Sequence, residues 1–217
     1  MKFLISPSHI SFFQKFGQIE FEDFISSEKS ELLLHECIHT TDFQNKEKMT
    51  LPGRDLFRQN KNIERFIKQK SLGNVVSHLI NQKQLRLAFD YFLHDQDLKN
   101  HFDLNEIRFN EMICVSNMQC IVILKLSEET FSEEFDPLKP FIPYPKEKNS
   151  VIFLKPTKRI NLTPLVENGG KFLIMGFAAS SIKFHYNEDP YAQNLIRMGY
   201  SSGDSLNNQS HPLIYKP

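Results

Sequence analysis

Apolar positions recur at near-helical spacing early in the chain and at strand spacing later on. Ile10, Phe12, Phe13 and Phe16 form the first stripe. Ser6 precedes it as an N-cap, Pro7 fits the first helical position, and Gly17 fits a left-handed stop. Residues 18–22 alternate and predict a short strand. Ser26 and Ser27 offer a second cap for a helix carrying Leu32, Leu33, Cys37 and Ile38, with Glu31 in its early turns. The polar run 40–52 reads as a loop. Asn62 can cap a short helix through Ile63, Phe66 and Ile67, and another restarts at Ser71 and carries Val75, Val76, Leu79 and Ile80. Over residues 84–93 the period changes. Leu85, Leu87, Phe89 and Tyr91 alternate as in a strand.

Beyond residue 110 the β-type runs dominate. Residues 112–115 and 120–126 are apolar, broken at Ser116 and Asn117. Residues 127–148 form an acidic loop with Pro137, Pro140, Pro143 and Pro145, and 150–154 form a strand stopped by Pro156. Residues 160–166 are irregular. Gly169 and Gly170 then open an apolar run from Phe172 to Ala179 that carries no helix cap. It predicts a central strand buried on both faces, turning half exposed through Tyr186. Asp189 and Pro190 start a late helix with Ala192, Leu195 and Ile196, and the tail ends in an extended stretch, 211–215. Helices first and strands later predict an α+β fold and exclude a doubly wound parallel sheet. One domain spans 1–217, with a helical flank at 1–83, a sheet core at 84–186 and a C-terminal helix and tail at 187–217.

Composition narrows the partners. The chain has 217 residues, 40% of them hydrophobic, enough for a sizeable core. Lys+Arg and Asp+Glu balance at 26 each, so no nucleic acid and no anionic membrane is expected as a partner. Cys37, Cys114 and Cys120 make no CxxC pair, which predicts free, buried thiols in a reducing compartment. The apolar opening is broken by Ser8, His9 and Gln14, and no run of about 18 apolar residues follows, so neither a secretory leader nor a membrane span is expected. The expected location is cytoplasmic.

Few motifs carry chemistry. His35-Glu36-Cys37-Ile38-His39 meets the His-Glu-x-x-His spacing that puts two imidazoles on one helix face for zinc. It also reads as a helix end with His39 near the negative dipole terminus. Arg54, Asp55 and Arg58 follow Pro52-Gly53 and read either as an anion contact or as a salt pair at a helix start. The chain lacks a Gly-x-Gly-x-x-Gly or Walker-type loop and a Gly-x-Ser-x-Gly elbow, so neither a glycine-loop phosphate cradle nor a serine hydrolase is expected. One His-x-Asp occurs, His101-Phe102-Asp103. Its surroundings read as a solvated loop or as two metal ligands. His94 and Asp97 stand at the wrong spacing for the same role.

Residues 6–28 resemble the opening of phytanoyl-CoA-dioxygenase-like proteins, which belong to the Fe(II)/2-oxoglutarate oxygenases. The shared pattern is a helix ending at Phe13-x-x-x-Gly17, a strand, and a short link into a long helix. The chain also looks like oxygenase-fold proteins of intracellular bacteria. The resemblance implies a double-stranded β-helix, or jelly roll, flanked by N-terminal helices. It also implies Fe(II) held by His101 and Asp103 with a distal histidine, and 2-oxoglutarate held by a basic residue, Lys171 or Lys183. The distal ligand departs from the pattern, because residues 102–184 contain no histidine and His185 lies beyond the strand that would follow it. An iron site resting on two ligands is weak, since affinity and geometry depend on the third. The resemblance therefore implies an oxygenase-like protein with an incomplete iron triad, non-catalytic or altered, that binds a small molecule. An active hydroxylase using Fe(II) and 2-oxoglutarate, a zinc hydrolase on the His35/His39 helix and a pure interaction module stay open.

Overall fold

A computed structural model describes residues 4–49, 51–94, 107–129, 144–163 and 169–216. His101 and Asp103 lie outside the described residues. The first helix, α1 (Pro7–Phe16), forms as its caps dictate. The Ser6 side chain accepts from the His9 backbone N–H, Pro7 stands in the first turn, and Gly17 closes the helix at φ 71°. Strand β1 (Gln18–Phe21) follows, and Ser26 caps α2 (Ser27–Lys46).

Two local expectations change. Helix α2 runs on to Lys46 through the stretch read as loop, because Thr41 and Gln44 turn inward and are buried. Gln44 then fixes the next segment. Its Oε1 accepts from the Gly53 backbone N–H at 2.6 Å and its Nε2 donates to the Arg54 carbonyl at 2.8 Å. The second change is the cap of α4 (Lys61–Ile67), which is Asn60 rather than Asn62. The Asn60 side chain accepts from the backbone of Asn62 and Ile63. A one-turn helix, α3 (Leu56–Gln59), precedes it, and α5 (Lys70–Ile80) follows.

The sheet has the order β1-β4-β3-β5-β2-β6 and every neighbour is antiparallel. Its strands are β2 (Leu85–Leu93), β3 (Met118–Lys125), β4 (Val151–Leu154), β5 (Phe172–Ala179) and β6 (Leu213–Tyr215). β5 lies between β2 and β3, with Leu93 and Lys125 both opposite Phe172. Alternation sends Leu173, Met175 and Phe177 to the helices and Phe172, Ile174 and Ala178 to the other side. Both faces are thus apolar, as a sheet covered twice requires. Residues 112–115, read as a strand run, start instead from the last residue of a turn of helix, α6 (Phe109–Met112), and only Val115 makes a bridge, to Phe184.

A second layer covers the inner face. It is tied by single bridges, Ile107 to Ile160, Val115 to Phe184 and Lys183 to Ser205. Ile107, Phe109, Ile182, Phe184 and Leu206 from this layer pack on Tyr91, Ile123, Phe172 and Ile174 from the sheet. The last helix, α7 (Ala192–Arg197), adds Ala192 and Leu195 to the same cluster. The fold is α+β with a jelly-roll-type core flanked by N-terminal helices. Cys37, Cys114 and Cys120 are free and buried, and burial pushes all three thiols upward. Within the described residues, no helix is long and apolar enough to cross a membrane.

Gly176 in β5 is required by space. A methyl there would meet the Phe89 ring and come within 2.9 Å of Met118 Sδ. Gly176→Ala should lower stability by about 1–3 kcal/mol through overpacking. Urea denaturation checks this, and pairing the change with Phe89→Leu should recover part of the loss.

Candidate functional site

Several buried polar groups, Gln44, Arg54, Asp90, Asp189 and His211 among them, gather at the edge of β2. Segment 53–55 lies along that edge. The Phe92 N–H donates to the Gly53 carbonyl, the Asp55 N–H donates to the Asp90 carbonyl, and Arg54 bridges Tyr91. Gly53 is needed here, since it sits at φ 85° with a hypothetical Cβ only 2.7 Å from the Phe92 carbonyl oxygen. With its backbone pinned by Gln44, Arg54 turns inward and is 6% exposed. Its guanidinium lies over the Phe89 ring at 4.8 Å and near the Tyr191 ring at 5.4 Å. Its Nη2 meets Asp189 Oδ2 at 3.4 Å.

Asp189 is tied on every side. Its Oδ2 also accepts from the Cys114 N–H at 3.0 Å, and its Oδ1 accepts from the Tyr191 N–H at 3.0 Å. One carboxylate thus joins the edge segment, the second layer and the start of α7. Burial alone would pull the Arg54 guanidinium down, but Asp189 and the other anions around it leave it raised. Next to it, Arg58 pairs with Asp55 at 3.0 Å, the helix-start salt pair, and donates to the carbonyls of Gln209 and Ser210.

Two buried titratable groups flank this edge. Burial, then the Asp55 charge, push the Asp90 carboxyl up to about 7. Its Oδ2 accepts from the Phe57 N–H at the start of α3, while its Oδ1 has no partner within the described residues. Burial, then Arg58 and Arg54, push the His211 imidazole down to about 3, and its Nδ1 has no partner within the described residues. Outside Arg54 a cleft of about 250 Å³ opens between the end of α2 and α7. Leu51, Met49 and Tyr191 give it apolar walls, Lys48, Arg54 and Arg197 give it cations, and Asp55, paired with Arg58, gives it a carboxylate.

No family model matches the chain, and no curated protein does. Solved structures do match. SnoK, a non-heme alpha-ketoglutarate-dependent carbocyclase from nogalamycin biosynthesis, aligns with a TM-score of 0.72 at 12% identity, over 96% of each chain. SnoN, the non-heme alpha-ketoglutarate-dependent epimerase of the same biosynthesis, aligns at 0.66 and 10% identity, over 95% of this chain and 97% of SnoN. The chain has the fold of the Fe/2-oxoglutarate oxygenases. CT296 from Chlamydia trachomatis aligns at 0.52 and 15% identity, over 82% of this chain and 99% of CT296. At these identities the likeness is one of fold.

On this oxygenase fold the residues singled out in the sequence scatter. Lys171 enters β5 one residue before Phe172, on the side of the sheet shared with Leu173, and its Nζ pairs with Glu129 at 3.5 Å. Lys183 and His185 alternate with the buried Ile182 and Phe184, and both are exposed. His94 stacks on Phe92 at 4.8 Å. His35 and His39 are exposed neighbours on α2 with ring centroids 6.4 Å apart. Glu36, the base a zinc hydrolase would need, instead accepts from the side chains of Asn60 at 2.6 Å and Asn62 at 2.8 Å, which hold it below the usual carboxylate range. Within the described residues no three His, Cys, Asp or Glu side chains converge as metal ligands. The Arg54–Asp189 pair was invisible in the sequence. Arg54 was legible only as one of three charges after Pro52-Gly53, and its partner stands 135 residues away.

Arg54→Met should leave the buried Asp189 uncompensated and cost about 3–5 kcal/mol, whereas Arg54→Met with Asp189→Asn should cost less than the single change. A double-mutant cycle by chemical denaturation measures this. The flanking groups make opposite contributions with pH. The folded Asp90 holds a proton that the unfolded chain releases above about 3.9, so its contribution falls as pH rises from about 4 to 7. The folded His211 stays neutral while the unfolded imidazole takes a proton below about 6.5, so its contribution falls as pH drops from about 6.5 to 3. Between pH 5 and 6.5 the two slopes offset each other. Asp90→Asn should expose a loss of about 1.4 kcal/mol per pH unit on acidification, and His211→Gln the reverse slope. Thermal and urea melts at pH 5 and 6.5 check both.

Proposed function

We propose that this chain is an oxygenase-fold protein that binds a small molecule without oxidising it, because the third iron ligand is missing. The observation that carries this is the orientation of the strand-like segment after β5. Its inward positions are Ile182 and Phe184, and the one histidine that follows residue 102 before the tail, His185, alternates outward to solvent. An imidazole must face the interior to complete a facial set of ligands there. The facing sheet positions are apolar too, with Tyr91, Ile123, Phe172 and Ile174 in the same cluster.

The outward turn of His185 supports an iron centre short of the usual three ligands. His101 and Asp103 supply two ligands in this reading, and Lys171, already paired with Glu129, is a weak holder for a cosubstrate carboxylate. The fold supplies the scaffold, and the activity depends on the site built on it.

Purified protein incubated anaerobically with Fe(II), then given 2-oxoglutarate and air, tests the reading. Retained iron should fall well short of one per chain, and succinate should not exceed the protein-free blank. One iron per chain with succinate formation would overturn the proposal and make the chain a hydroxylase. Stoichiometric zinc lost on His35→Ala would move it to the hydrolase class.

A further inference from the structure

The cleft at the β2 edge has a charge imbalance that the rest of the fold does not need. Arg54 at its floor is neutralised by Asp189, and Arg58 next to it by Asp55. Lys48, just past the end of α2, and Arg197, in the last turn of α7, both line the cleft and are exposed. Within the described residues neither has an acidic partner. Lys48 and Arg197 thus both line a space of about 250 Å³ whose one carboxylate, Asp55, is already paired with Arg58. Arg54 adds to them, because of its five N–H donors it commits one, to Asp189 at 3.4 Å. Asn194 places a side-chain amide on the same wall. Against these stand Leu51, Met49 and the Tyr191 ring, which form an apolar side.

The acceptor that matches is one carrying close to two negative charges and three oxygens. A phosphate monoester has both, and meets Lys48, Arg54 and Arg197 with one oxygen each. A monocarboxylate leaves one cation unmatched, and the apolar wall favours an organic body on the phosphate over the free inorganic ion.

We propose that this cleft binds a small phosphate monoester, its phosphate between Lys48 and Arg197 above Arg54, and its organic body against Met49, Leu51 and Tyr191. The site lies on the outer edge of β2 and is independent of whether iron binds, so its test reads a different quantity from succinate formation. The two rim cations come from opposite ends of the fold. Lys48 belongs to the N-terminal flank and Arg197 to the C-terminal helix, so ligand also bridges the segments that Asp189 joins beneath.

Calorimetric titration of the full chain with phenyl phosphate tests the proposal, with phenol and succinate as controls. Phenyl phosphate should bind saturably, one per chain, and weaken as salt is raised. Phenol should not bind, and succinate should bind more weakly. Lys48→Met and Arg197→Met are both exposed and should leave the melting temperature unchanged. Each should weaken phenyl phosphate by about tenfold, and the pair by more. No saturable binding, binding unchanged in the double variant, or succinate as tight as phenyl phosphate would each overturn the assignment.

Discussion

The buried ion pair between Arg54 and Asp189 is the constraint on which the edge of this fold depends. Taking two charges out of water is expensive, and a single 3.4 Å contact recovers only part of that cost. The rest comes from what surrounds it. Two aromatic rings flank the guanidinium, and backbone N–H groups of Cys114 and Tyr191 satisfy the carboxylate. Gln44 fixes the backbone from which Arg54 projects. Three segments far apart in sequence are therefore held by one acid. Removing either partner strands a charge in the interior, so the pair fixes which edge segment meets which helix.

The core works by a different logic. Its strands are apolar on both parities, and layers on either side remove that surface from water. No charge is needed to hold β5 between β2 and β3. The inner layer is held together by three isolated bridges rather than by a continuous ladder, and it meets the sheet by packing. Ile182, Phe184, Phe172 and Ile174 fill this interior with apolar side chains. Arg54, Asp90, Asp189 and His211 are among the buried polar groups, and they sit at the β2 edge.

Fold and activity place different demands on a sequence. SnoK and SnoN are non-heme alpha-ketoglutarate-dependent enzymes, and they share an architecture with a chain that keeps about one residue in ten of theirs. Packing rules can maintain a jelly roll at that divergence, because volume and pattern suffice for a core. Metal ligands have no such tolerance. Each must be the right residue facing the right way, and the alternation that keeps Phe184 inside turns His185 out.

Local rules written in the sequence determined the early elements. Ser6, Pro7 and Gly17 bound α1, Ser26 starts α2, and the double-sided apolar run gives β5, because caps, glycines and period act over a few residues. The resemblance of residues 6–28 pointed to the fold that the solved structures then matched. Tertiary structure decided the rest. Helix α2 continues through polar residues because Gln44 finds backbone partners at residues 53 and 54, which no local propensity encodes. Glu36 reads as a zinc-site base until Asn60 and Asn62 take both its oxygens. Arg54 and Asp189 are unremarkable letters until folding places them together, since pairing across so long a separation is set by topology and not by spacing.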